Sequence, residues 1–78
     1  MNHTLHALFI EIDNNYQFYK YFWEGMDAFH FGESSSVLIN EKITSYKLEE
    51  HKVLGEFDYR NDKSYFKLAT NYEVISPT

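Results

Sequence analysis

Eight of the sixteen residues from 16 to 31 are aromatic, in a chain of only 78 residues. A chain of this length buries about 60–65% of the surface it exposes when unfolded, so it cannot leave most of its rings in water. Nor can so small a core enclose all fifteen rings that the sequence carries. The balance to expect is a largely aromatic core with a minority of Tyr and Trp at the surface, where those side chains suit protein contact.

Spacing within the aromatic segment predicts a helix. At 100° per residue, Gln17, Lys20, Glu24 and Asp27 fall in one narrow arc, while Phe18, Tyr19, Phe22, Trp23, Met26 and Phe29 spread over the opposite half. A strand would place rings on both of its alternating faces, and residues 16–23 contain no β-branched side chain. Asp13-Asn14-Asn15 supplies turn and cap residues, with Asn14 and Gln17 at the spacing of an amide capping box. Phe31-Gly32 supplies the stop, ahead of the polar linker 33–36. Phe18, Phe22, Met26 and Phe29 are then expected to hold the sheet, leaving Tyr16, Tyr19, Tyr21 and Trp23 at the helix margins.

Elsewhere the pattern is one of short alternating runs. Residues 5–13 read as a strand, as do 37–40, 43–48, 53–60 and 64–75, with turns at Asn40-Glu41-Lys42, Glu49-Glu50-His51 and Asn61-Asp62-Lys63. On the last strand pair, Val53, Phe57 and Tyr59 should face Phe66, Leu68, Tyr72 and Val74. The expected fold is a single small α+β domain over residues 1–78. One amphipathic, aromatic-rich helix packs on one face of a four- to five-stranded, mainly antiparallel sheet in the order β-α-β-β-β-β. Its uncovered face would carry Leu5, Phe9, Leu54, Tyr65, Ala69 and Ile75 among charges, which points to a partner or a homodimer through that open face.

Composition narrows the function further. With no cysteine, disulfides, thiolate nucleophiles and thiolate metal sites are excluded. No basic and apolar leader opens the chain and no apolar run could span a bilayer, so the expected location is the cytoplasm. A net charge of −5 repels phosphate backbones and anionic lipids, which disfavours direct nucleic-acid and membrane binding and favours a basic protein partner.

Motifs for chemistry are weak. Four histidines, His3, His6, His30 and His51, invite a metal reading, and Met1-Asn2-His3 could chelate copper or nickel through a free amino terminus. In a strand, however, His3 and His6 point to opposite faces, and any chain with histidine third would offer the same chelate. The acidic pairs Glu11/Asp13, Glu24/Asp27, Glu49/Glu50 and Glu56/Asp58 could do acid–base work, yet they sit where solvent-facing charge is expected, and no histidine, serine or lysine constellation joins the period-2 pairs Glu11/Asp13 and Glu56/Asp58. No phosphate-cradling loop or nucleophile elbow occurs, so neither an enzyme nor a cofactor is expected; a small enzyme or metal-binding domain using these groups is the minor alternative.

The acidity permits a sharper reading, in which Glu49, Glu50, Glu56, Asp58 and Asp62 imitate nucleic-acid phosphate and occupy a basic channel. Ordinary solubility charge also accounts for them, since Lys47, Lys52, Arg60 and Lys63 are interspersed. In composition, though in no motif, the chain resembles small inhibitors carried by phages and mobile elements, and toxin immunity proteins. The expectation is a non-enzymatic module that inhibits or modulates a larger basic, nucleic-acid-processing protein. Tyr16, Tyr19, Tyr21 and Trp23 would be its aromatic contacts, with Glu49, Glu50, Glu56 and Asp58 as its charged rim; a homodimeric structural domain is the other alternative.

Overall fold

The structure, a computed structural model, describes residues 3–54 and 68–75. Strands β1 (His3–Ile12) and β2 (Asn15–Phe22) are followed by helix α1 (Gly25–Glu33), the single turn α2 (Ser35–Leu38), and strands β3 (Ser45–Val53) and β4 (Tyr72–Ile75). The strands form one antiparallel sheet in the order β2-β1-β3-β4, with the helical layer on one face. The α+β class is as expected from the sequence. The order of elements is not: a strand occupies the first half of the expected helix.

The cause lies in the turn. Asp13 and Asn14 have φ of 55° and 66°, the left-handed conformation that a two-residue type I′ hairpin loop requires at both central positions. Short polar side chains tolerate that region, and Asn15 Nδ2 donates to the Asp13 carbonyl at 3.2 Å. The residues expected to cap a helix instead fold the chain back on itself, pairing Ile12 with Asn15 and Glu11 with Tyr16.

Rings on both faces are no obstacle to a strand here, because both faces of the sheet are covered. Leu8, Ile10 and Phe22 pack with Ala28 and Ile43 on the helical side, while Leu5, Ala7, Tyr21 and Val53 form a second buried cluster. A β-bulge at Tyr19 hides the alternation: Phe9 pairs with Phe18 and Leu8 with Lys20, leaving Tyr19 as the extra residue. Phe18 and Tyr21 consequently share a face, their rings 4.9 Å apart. A regular strand would have put them on opposite sides.

Small side chains seat α1. Ala28 and Gly32, four residues apart, are its buried positions, so Met26 and Phe29 turn outward rather than into the core expected of them. A Cβ on Gly32 would stand 2.9 Å from Tyr46 Cγ and closer still to Cδ2 and Cε2, so the backbone meets a ring with no room between. Residues 37–40, expected as a strand, fall in α2 and the loop after it. The amides of Val37 and Leu38 donate to the Ser34 carbonyl and Ile39 donates to Ser35, closing a helical turn. Beyond it, Lys42 N–H donates to Asn40 Oδ1 at 2.9 Å, a side-chain-built turn that delivers buried Ile43 to the core.

Glu49-Glu50-His51 is not a turn but the middle of β3, paired with Ala7, His6 and Leu5. The three side chains alternate in side, which explains how two adjacent glutamates fit a central strand. Of the last expected strand pair, Tyr72 pairs with Val53. Phe57, Tyr59 and Phe66 lie outside the described residues, as do Tyr65 and the expected turn at residues 61–63. The sheet face expected to stand open is closed at its centre: Leu5 is fully buried, and Phe9, Phe18, Ala69 and Tyr72 pack against its cluster.

Candidate functional site

A buried polar chain runs through the second cluster, on the face away from the helices. The Ala69 amide donates to the Tyr21 oxygen at 3.4 Å, Tyr21 Oη lies 2.8 Å from His51 Nδ1, and His51 Nε2 lies 2.8 Å from Glu49 Oε1. With the Tyr21 oxygen accepting from Ala69, one arrangement satisfies every partner: the Tyr21 O–H donates to Nδ1 and an Nε2–H donates to the Glu49 carboxylate. Tyr72 stacks on the imidazole with centroids 4.3 Å apart and planes 12° from parallel.

Glutamate, histidine and tyrosine in series have the makings of an acid–base relay, but Tyr21 and His51 are both wholly enclosed. Burial raises the Tyr21 hydroxyl above its ordinary pKa, so the phenol stays neutral. Enclosed and fully bonded, the chain of groups fixes how β1, β2, β3 and the strand-leading residue Ala69 sit together. His51 is the residue the sequence reading missed. Its placement in an expected turn concealed a strand position on the same side as Val53.

The other expected contacts separate. Tyr16 is exposed at the hairpin end, where its hydroxyl donates to Ser45 Oγ at 3.2 Å and Lys47 Nζ lies 5.0 Å from its ring centre. Tyr19 is half-buried in the bulge, against the helical-side core. Tyr21 is interior, so it leaves the set of surface contacts. Trp23 follows the far end of β2, seven residues and roughly 23 Å of strand from Tyr16, edge-on to His3 with ring centres 5.7 Å apart. Glu49 is committed to His51 and to Lys47 at 3.6 Å, and Glu50 points to the opposite face. Glu56 and Asp58 lie outside the described residues. Among the described residues, the expected contacts do not form one rim.

A different set of exposed side chains lies on the helical layer. Met26, Phe29, Val37 and Leu38 are 65%, 41%, 85% and 58% exposed, a set of large apolar side chains facing solvent in a domain with few to spare. The same stretch, residues 23–41, holds Glu24, Asp27, Glu33 and Glu41 without a single lysine or arginine, and all four carboxylate residues are exposed. Beside it an open groove of about 510 Å³ runs between α1 and β2, with Phe22, Phe31 and Leu38 as apolar lining and Lys20, Asp27 and His30 on its walls. Across the helix, Glu33 hydrogen-bonds the Tyr46 hydroxyl and thereby raises its pKa.

Among the described residues no cluster of three or more His, Asp or Glu side chains could hold a metal ion, and no helix is long and apolar enough to cross a membrane. No family model, curated protein or solved structure matches the chain significantly.

Proposed function

We propose that this chain is a non-enzymatic protein-binding module that inhibits or modulates a larger protein with a basic, nucleic-acid-processing surface. The observation that carries the reading is the helical layer, which exposes Met26, Phe29, Val37 and Leu38 and holds carboxylates but no lysine or arginine from residue 23 to 41. Apolar contacts supply affinity on excluding water, and carboxylates around them steer and orient a cationic partner. A second copy of this chain fits the surface less well, because a two-fold interface would set an acidic stretch holding Glu24, Asp27, Glu33 and Glu41 against its own copy. The enclosure of Tyr21 and His51 favours a binding role over a catalytic one, since no substrate reaches their polar atoms.

The reading is tested by capture from the native host on the immobilised chain at low and high salt, compared with a Met26→Ser, Val37→Ser double variant. A partner with a basic surface, released as salt rises and bound less well by the variant, is the expected result. A complex indifferent to salt and to both substitutions would overturn it.

A further inference from the structure

We infer that the groove between α1 and β2 receives a large apolar side chain, aromatic or leucine-like, from a lysine- or arginine-rich segment of the partner. The inference rests on the proposed function and names the chemistry that its surface selects. The groove's volume, about 510 Å³, lies within the roughly 300–1,000 Å³ of clefts that hold ligands. Its lining divides by chemistry. Phe22 and Phe31 pack at 5.2 Å between ring centres and Leu38 stands 58% exposed above them, so an inserted apolar group would meet carbon on several sides.

The walls specify direction. Asp27 lines the groove from the first turn of α1, three residues after Glu24 in the acidic stretch, and it would meet a cation flanking the inserted side chain. On the opposite wall Lys20 lies over the Phe22 ring at 5.3 Å and disfavours a cation there. One side of the groove thus accepts positive charge and the other rejects it. An apolar anchor with basic residues beside it satisfies both walls; an acidic segment would face Asp27 and Glu24, and an uncharged one would forgo the attraction.

The test uses the whole chain, labelled with nitrogen-15, and three capped hexapeptides: Lys-Lys-Phe-Leu-Lys-Lys, Glu-Glu-Phe-Leu-Glu-Glu and Lys-Lys-Ala-Ala-Lys-Lys. The first should shift the amide resonances of Asp27, His30, Phe31 and Leu38, with an affinity about tenfold above either of the others. Leu38→Ser and Asp27→Lys should each weaken it about tenfold, whereas Thr70→Lys, far from the groove in sequence and exposed, should leave it unchanged. Both groove positions are exposed, so neither variant endangers folding, and an unchanged spectrum elsewhere verifies that. Equal binding of the acidic peptide, shifts clustered away from the groove, or no binding by the first peptide would each overturn the inference. So would binding of free indole in the groove with no response to any peptide, which would assign it to a small molecule. A captured partner that still binds in a salt-dependent way to Leu38→Ser and Asp27→Lys would reject the groove while leaving the proposed function standing.

Discussion

The two faces of the sheet solve the same burial problem in opposite ways. Away from the helices, large side chains go in: Leu5, Tyr21, His51 and Val53 are almost wholly enclosed, and the polar atoms among them are bonded to one another. Under the helices Leu8, Ile10, Phe22 and Ile43 are buried too, but the helices themselves turn small residues in at Ala28 and Gly32 and large apolar ones out at Met26, Phe29, Val37 and Leu38. The first arrangement yields a sealed, specific interior. The second brings a helix backbone close to a ring and leaves carbon at the surface, which is what a binding layer needs. Size and polarity alone do not decide which side chains a small domain hides; the closeness of approach between layers decides it.

Substitutions can break this contrast face by face. The largest effect is expected at His51, where His51→Ala opens a cavity and strips Tyr21 and Glu49 of a partner at once, destabilising the protein by about 3–5 kcal/mol in urea unfolding. An unchanged midpoint would show that the sealed face is not organised around the imidazole. Next comes Gly32→Val, which drives a branched side chain into Tyr46 and should cost about 2–3 kcal/mol in thermal melts. If Gly32→Val instead raises the melting temperature, the helix does not sit as close to β3 as described.

A smaller loss, about 1–2 kcal/mol, is expected for Tyr21→Phe, which keeps the ring but leaves His51 Nδ1 without its donor. The same hydroxyl sets an alkaline limit. Its folded pKa is raised above 10.0 by burial, so the unfolded chain releases that proton first as pH climbs. Stability from this group is fully present below about pH 10 and is lost as pH rises from there through the folded value. Tyr46 shifts in the same direction, so the measurement to make is the alkaline fall in urea midpoint for the wild type against Tyr21→Phe and Tyr46→Phe, with each variant showing a shallower fall. The smallest stability effect belongs to the helical layer, where Val37→Ser should move the unfolding free energy by no more than about 0.5 kcal/mol while weakening partner capture. A large loss of stability there would mean that Val37 is core and not contact surface.

Much of the fold was legible in the sequence. Alternation marked β1 to within two residues, and an antiparallel sheet carrying one helical layer followed from it. What failed, failed for identifiable reasons. Asp13 and Asn14 are as good in a left-handed turn as at a helix start, and only the pairing partner distinguishes the two. The bulge at Tyr19 breaks the period of two, so β2 imitated a helical wheel. Placing Met26 and Phe29 inside assumed that large apolar residues mark the buried stripe, an assumption Gly32 and Tyr46 overrule. As for the site, the acidic and aromatic character was visible from the start, but its location was not. Tyr21 and Glu49 proved to serve the interior, and the most exposed apolar side chains, Met26, Val37 and Leu38, lie on the helices.

The bulge has an evolutionary corollary. Strike out Tyr19 and β2 becomes strictly alternating, with Phe18 still opposite Phe9, Lys20 opposite Leu8 and Tyr21 opposite Ala7. Strike out Phe18 instead, and Tyr19 must take a place belonging to the other side of the sheet or the pairing must slip. Position 19 is thus where the hairpin can gain or lose a letter without scrambling its text. The ring it carries, lodged against the helical-side core, is an addition to one layer that displaced nothing in the other.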